Sequence, residues 1–222
     1  MATERFTNRV DAGRRLATCL DGYAGRSDVI VLGLPRGGVP VAAEVAQHLH
    51  APLDIFLVRK LGVPGHPELA MGAVAEGGVQ VLDERLIEGL AIPRALVDEI
   101  AQSERLELDR RDRRYRGARQ RPNVSNRTVI VVDDGLATGA TMEAAVVALR
   151  ALGPAAVVVA APVGAPETCS RLGRHADRVV CVATPAYLGA VGHWYDDFTQ
   201  TTDDEVRKAM AGINAPADRR PA

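Results

Sequence analysis

The sequence predicts an α/β fold: a doubly wound, mostly parallel sheet with helices on both faces. Two observations carry this. The runs "DVIVLGL" (28–34), "TVIVVD" (128–133), "AVVVAA" (156–161) and "RVVCVA" (178–183) are apolar without a polar alternation, as strands covered on both faces must be. Stretches with helical character separate them, such as "GVPVAAEVAQHL" (38–49) and the segment 141–152 that stops at Gly153-Pro154. That alternation of buried strand and helix is the rhythm of a parallel sheet.

The remaining elements follow in order. "LDIFLVRK" (53–60) reads as one strand, and "LGVPGHPELAMG" (61–72) as a Gly/Pro-rich loop. "AVAEGGVQVL" (73–82) predicts a small hairpin turning at Gly77-Gly78. Asp83 is placed to cap "ERLIEGL", and Pro93 to open a long helix reaching about Arg116. A further helix opens near Pro166, before the last strand. There are no internal repeats. Residues 1–212 read as one domain, and 213–222, ending in "NAPADRRPA", as a disordered tail.

Composition narrows the function. The net charge of -1 gives no general attraction to nucleic acid or to an anionic membrane. The first fifteen residues contain no apolar segment of the secretory kind, and the longest apolar run is too short to span a bilayer. Cys19, Cys169 and Cys181 are odd in number with no C-x-x-C spacing, so they read as buried thiols in a reducing cytosol. A soluble cytoplasmic protein is the expectation.

Ligands of such sheets bind at the carboxyl ends of the strands, and three strand ends carry chemistry. In "VIVVDDGLATGATM" the adjacent acids Asp133 and Asp134 precede a loop of small residues that opens a helix. Ala137, Gly139 and Ala140 let an anion approach backbone N–H groups, and Thr138 and Thr141 add hydroxyl donors. Two acids beside a phosphate need sugar hydroxyls or a water-bound Mg²⁺ between them, so the residues ask for a phosphorylated sugar. An ordinary Asp-Gly turn with a capping threonine accounts for Gly135 and Thr141 but not for paired acids after a buried strand. No Walker lysine follows the loop, and "GLPRGG" does not supply a G-x-G-x-x-G fingerprint.

The second strand end is "GLPRGGVP" (33–40), where Gly37 and Gly38 permit close backbone approach and Arg36 offers bidentate donors to phosphate oxygens. The third places Arg59 and Lys60 together at the end of a buried strand, a costly arrangement unless an anion meets them. His66 and Glu68 lie in the loop behind them, which is suited to serve as a mobile lid. The basic stretch 105–122 reads as a solvated, ion-paired helix face, with Arg116 or Arg119 available to fold back toward a phosphate. "AVGHWYDDFTQ" (190–200) gathers Trp194, Tyr195 and Phe198, either as a buried anchor or as a platform for a planar ring.

The stretch "VIVVDDGLATGATM" resembles the PRPP-binding signature of type I phosphoribosyltransferases, departing only at Ala140, where glycine is more usual. The resemblance covers about residues 28–184 and is nearest to a group of phosphoribosyltransferases whose acceptor is unknown. It implies a core over those residues and a hood formed by an N-terminal helix and about 185–210. It implies Mg²⁺-dependent transfer of the 5-phosphoribosyl group to a nitrogen acceptor with release of pyrophosphate. Arg36 and Lys60, with the Gly37 and Gly38 backbone and Arg59, would meet the pyrophosphate. Asp133 and Asp134 would hold the ribose, directly or through metal-bound water, and Ala137, Thr138, Gly139, Ala140 and Thr141 the 5′-phosphate. Trp194, Tyr195 and Glu68 are the acceptor-side candidates. Ala137 stands where the 6-oxopurine enzymes carry an acid, which points away from that branch. Related families commonly form homodimers. Two other readings stay open: a PRPP-binding regulator without turnover, and an unrelated α/β phosphate-ester enzyme using the aspartates with a metal.

Overall fold

The computed structural model describes residues 5–213. In chain order the elements are α1 (Arg9–Thr18), β1 (Val29–Gly33), α2 (Gly38–Leu49), β2 (Leu53–Ile55), β3 (Val58–Val63), β4 (His66–Ala75), β5 (Gln80–Leu82), α3 (Glu84–Gly89), α4 (Arg94–Arg116), β6 (Thr128–Val132), α5 (Ala140–Ala151), β7 (Ala156–Val163), α6 (Pro166–Leu172), β8 (Arg178–Ala183) and α7 (Asp203–Ile213). The predicted doubly wound parallel sheet is present, five strands in the order β2-β1-β6-β7-β8. Among the described residues no helix is long and apolar enough to cross a membrane.

Alternation along β1 and β6 explains why both faces are covered. Val29, Val31, Ile130 and Val132 pack with Leu16 of α1 and with Val41, Val45 and Leu49 of α2. Ile30, Leu32, Val129 and Val131 face the other way, onto Met142, Ala145, Val146 and Leu149 of α5 and Leu172 of α6. Each such side chain contributes about 1.5–3 kcal/mol by leaving water, which is why no polar residue interrupts these runs. β1 and β6 pair in parallel from Val29↔Thr128 to Gly33↔Val132, so the two strands end side by side and release their loops together.

The stretch 53–60 is not one strand. Phe56 still donates to Gly33 O at 3.0 Å, but Leu57 turns out of the sheet and exchanges backbone and side-chain hydrogen bonds with Glu76. Arg116 holds this corner from α4. Its guanidinium binds Glu76 bidentately at 2.7 and 2.8 Å, Asp54 at 2.9 Å, Asp112 at 2.5 Å and the Ile55 carbonyl at 2.6 Å. Burial raises the Glu76 carboxyl, opposed by Arg116, and the three acids keep the guanidinium charged. Arg116 is therefore a structural clamp and does not reach toward a phosphate. Arg119 donates to Met210 O at the far end of α7 instead.

β3, β4 and β5 form a separate antiparallel sheet. The segment 61–72, expected to be a lid loop, is mostly strand: β3 and β4 run antiparallel with a register shift at Gly62, and the turn lies between Val63 and His66, where Gly65 adopts φ +80°. The expected hairpin at 73–82 is present, with Gly77 and Gly78 both at positive φ. Leu61, Val63, Met71 and Val74 pack against Val97, Ala101 and Leu108 of α4, and Val206 and Met210 of α7 join them. Asp83 caps α3 through Leu86 N, and Pro93 is the N-cap residue of α4. Helix α7 carries through Ile213, so the expected tail loses that residue; 214–222 lie outside the described residues.

Candidate functional site

The direction of winding reverses between β1 and β6, where crevices for ligands form in open α/β sheets. The loop 34–37 leaves β1 there and the loop 133–139 leaves β6. They pack on one another so closely that only glycine fits. A Cβ on Gly37 would lie 1.9 Å from Asp134 Oδ2, and one on Gly38 would lie 2.6 Å from Val132 O and 2.8 Å from Asp133 Cα. Leu34 N donates to Val132 O at 2.9 Å, tying the loops at their roots, and the Pro35-Arg36 peptide bond is cis. The glycines predicted for a phosphate thus have a second task, admitting the paired acids of the neighbouring strand.

Those acids are unequally held. Asp133 Oδ1 accepts the Asp134 N–H at 2.9 Å. Asp134 Oδ2 accepts from Arg9 Nε at 2.8 Å, and its carbonyl accepts the Tyr195 hydroxyl at 2.6 Å. Burial, with the neighbouring Asp134 charge added, pushes Asp133 up to about 8. Burial also raises Asp134, and Arg9 opposes it. A cation or hydroxyl donor arriving here would stabilise the ionised pair. Among the described residues no group of three or more metal-binding side chains occurs, so a closed protein cage for a metal is absent from them. Two adjacent carboxylates do fit Mg²⁺, which is commonly held by one or two carboxylates, water and substrate phosphates.

The sequence reading missed Arg9. It projects from the first turn of α1, lies 4.1 Å over the Phe198 ring and donates to Thr199 O at 2.8 Å. Asn8 fixes that turn by accepting from Val10 N and Asp11 N. Because Arg9 is 125 positions away from Asp134 along the chain, no local pattern signals the pair.

The small-residue loop opens a helix, as an anion cradle would. Gly139, at φ +68°, is the N-cap of α5 and makes no side-chain capping bond, and Ala140 N makes only a long 3.5 Å contact with Thr138 Oγ1, so the first turn keeps donors that an anion could take up. Thr138 and Thr141 are exposed beside it. Two further residues hold the loop from α6: Thr168 Oγ1 donates to Ala137 O at 2.6 Å, and Arg171 donates to Thr138 O while pairing with Glu143 at 3.1 Å. A Cβ on Gly139 would lie 2.4 Å from Thr168 Cγ2.

Arg59 and Lys60, expected to end a buried strand, are instead the second and third residues of β3, and the cations near the site are partly engaged. Arg36 lies 3.9 Å from Asp203, which also binds Arg114 at 2.6 Å and the Tyr115 hydroxyl at 2.7 Å. Arg59 pairs with Glu104 of α4 at 2.5 Å, and lines a small crevice with Pro35 and Thr141. Lys60 makes no ion pair among the described residues. By strand alternation it lies on the face of Val58, which packs toward the α5 cluster, opposite Leu61. His66 is exposed at the start of β4; Glu68 lies in β4 with its side chain outside what the structure describes.

The segment after β8 corrects one expectation. Tyr195 is 1% exposed, between Phe6 at 5.4 Å and Phe198 at 4.9 Å, so it offers no open face to an acceptor ring. It anchors this segment and the Asp134 carbonyl instead. Trp194 is half-buried with its indole N–H on Leu188 O at 3.0 Å. Val191 seals Gly135, where a Cβ would lie 2.4 Å from Val191 Cγ1. Tyr187, also missed, is 86% exposed in the segment following β8.

A family model described as phosphoribosyl transferase domain matches residues 3–194. The chain belongs to that family. The Mycobacterium tuberculosis H37Rv protein Rv0571c, provisionally named a phosphoribosyl transferase, is 51% identical over 201 residues, which make up 90% of this chain and 45% of that protein. The chain therefore spans about half the length of the curated relatives it matches. The crystal structure of TT1426 from Thermus thermophilus has a TM-score of 0.85 at 44% identity, covering 93% of this chain and 97% of that one.

Proposed function

We propose that the protein transfers the 5-phosphoribosyl group of PRPP to a nitrogen acceptor and releases pyrophosphate, with Mg²⁺ required. The observation that carries this is the mutual packing of the Gly37-Gly38 and Asp133-Asp134 loops at the point where the sheet reverses its winding. That packing sets the glycine backbone, the paired acids and the small-residue loop 135–139 side by side, which supports a ligand that is anionic at both ends and hydroxylated in the middle.

Breaking the C1–O bond leaves a diphosphate and a sugar with cationic character, so positioning and charge stabilisation dominate the chemistry. Arg36, Lys60, Arg59 and the Gly37 and Gly38 backbone bind the departing diphosphate. Asp133 and Asp134 accept from the ribose hydroxyls and would hold Mg²⁺, which supplies countercharge to the pyrophosphate. Thr138, Thr141 and the N–H groups of Ala137, Gly139 and Ala140 grip the 5′-phosphate and fix C1 against the acceptor. Trp194 borders the acceptor side, where Tyr187 presents the exposed aromatic face that Tyr195 lacks. Arg9 orients Asp134 from the hood.

The test has two stages. PRPP with Mg²⁺ raises the melting temperature of the wild type, and Asp133→Asn with Asp134→Asn abolishes the rise. A pyrophosphate-release screen over nucleobases and small amines then identifies the acceptor. No thermal shift at millimolar PRPP refutes the proposal; a shift with no release from any acceptor identifies a PRPP-binding regulator.

A further inference from the structure

The sequence predicts inert buried thiols at Cys169 and Cys181, yet the two face each other. Their Sγ atoms are 3.5 Å apart, both residues are only half-buried, and Cys19 is exposed apart from them. The contact depends on Gly164, where a Cβ would lie 2.6 Å from Cys169 Sγ and 3.0 Å from Cys181 Sγ. The other flank of the same glycine meets Leu136 at 3.4 Å, the residue that leads into the phosphate cradle. Leu136 and Gly164 also form a β-bridge. Cys169 sits in α6 directly after Thr168, which holds the Ala137 carbonyl, and two residues before Arg171, which holds the Thr138 carbonyl.

We propose that Cys169 and Cys181 are a reversible thiol oxidation site that weakens the grip on the 5′-phosphate when they join. An S–S bond is about 2.05 Å long, so the sulfurs must close by about 1.5 Å. β8 is fixed by its pairing with β7 at Ala161↔Cys181, whereas α6 is a seven-residue helix. The closure therefore falls on α6 and carries Thr168 and Arg171 with it. The oxidant is a low-molecular-weight disulfide. The Cys169 thiolate attacks one of its sulfurs and expels one thiolate, which takes up a proton. Cys181 then loses its proton, attacks Cys169 Sγ and releases the second thiol. One disulfide and two protein thiols give one protein disulfide and two free thiols. The hydrogen bond with Cys181 draws Cys169 down to about 7, which suits it as the attacking group.

The effect on PRPP rests on the function proposed above, so the experiment reads the disulfide and the loop separately. The protein is equilibrated in glutathione buffers from reduced to oxidised, then examined by intact mass, differential alkylation and hydrogen exchange, with Mg²⁺–PRPP affinity measured alongside. Expected are an internal Cys169–Cys181 disulfide, faster amide exchange over 136–141, and PRPP affinity weakened about 5-fold or more. Dithiothreitol reverses all three; Cys169→Ser and Cys181→Ser abolish them, and Cys19→Ser does not. If only mixed disulfides with glutathione form, or if the internal disulfide forms while exchange over 136–141 is unchanged, the proposal is overturned. A disulfide that speeds loop exchange but leaves PRPP affinity unaltered also overturns it. Should the reduced protein fail to bind PRPP at all, the function proposed above falls, and the switch is judged on loop exchange alone.

Discussion

Replacing Arg9 by methionine tests the electrostatics of the paired acids, because methionine keeps most of the side-chain stem while removing the charge and the hydrogen bonds to Asp134 and Thr199 O. Arg9 and Asp134 are 12% and 17% exposed at their side chains, so little solvent replaces the lost partner. Removing one member of a buried ion pair costs about 3–5 kcal/mol when the remaining charge cannot escape. Here it can escape by protonation. Asp133 and Asp134 both have folded-state pKa values above the ordinary carboxylate range, and Arg9 lowers both. The folded protein therefore holds protons that the unfolded chain has released, and stability falls as pH rises from the ordinary carboxylate range toward about 8. Without Arg9 that fall steepens. At about pH 8 we expect a loss near 3 kcal/mol, the lower end of the range because the pair is not fully enclosed. At about pH 5 Asp133 is protonated and the raised Asp134 takes up a proton more readily, so the loss should shrink to about 1 kcal/mol, mostly from the lost contact over Phe198. For a chain of this size each kcal/mol moves the melting temperature by about 2–4 °C. The variant should therefore melt about 6–12 °C below wild type at pH 8 and about 2–4 °C below at pH 5. Scanning calorimetry at the two pH values decides the matter, and an equal loss at both would refute the reasoning.

Three further outcomes follow from particular contacts. Gly38→Ala places its methyl against backbone atoms at 2.6 and 2.8 Å; it should destabilise by about 1–3 kcal/mol and lose the PRPP thermal shift, whereas Gly22→Ala, with nothing within 4 Å, should do neither. Arg116→Met leaves Glu76, Asp54 and Asp112 facing one another, and its urea midpoint should fall by the equivalent of about 3–5 kcal/mol, with most of the loss recovered when Glu76→Met is added. Tyr187→Ala removes an 86% exposed ring; its melting temperature should stay within about 1 °C, since surface changes rarely exceed ~0.5 kcal/mol, while the acceptor KM found in the pyrophosphate-release assay rises.

What was legible in the sequence was whatever a local pattern controls. The unbroken runs of β1, β6, β7 and β8 announce burial on both faces, and "DDGLATGA" announces the loop and helix it opens. The break in 53–60 was hidden because Phe56 and Leu57 are both buried, one on each side of it. Burial supplies the apolar signal of a continuous strand, while the turn itself is made by Glu76 and Arg116 from elsewhere in the chain. Helix α4 hides its role for a similar reason, since arginines that pair locally and the one that clamps the corner look alike in sequence. Tyr195 illustrates the limit for aromatic residues: the residue type is the same for a stacking platform and a buried anchor, and only Phe6, 189 positions earlier, decides between them.

Under the function proposed above, the ion pairs of the site's cations tie α1 and α7 to the chemistry. Arg9 is matched to Asp134, Arg36 lies near Asp203 and Arg59 is matched to Glu104. Two of those three contacts join the site to α1 and to the first residue of α7. A polyanion entering the crevice does not meet bare charges; it exchanges one set of partners for another, so part of its attraction is spent on releasing carboxylates. Lys60, in β3, alone among these cations has no ion pair to give up among the described residues, which makes it the residue whose contribution to anion binding is least discounted. Exchange at Arg36 frees Asp203, and with it Arg114 and Tyr115, while exchange at Asp134 frees Arg9 from the segment bearing Phe198 and Thr199. If that function holds, the chemistry at the paired acids and the positions of α1, the 198–199 segment and α7 are therefore linked through the same few ion pairs.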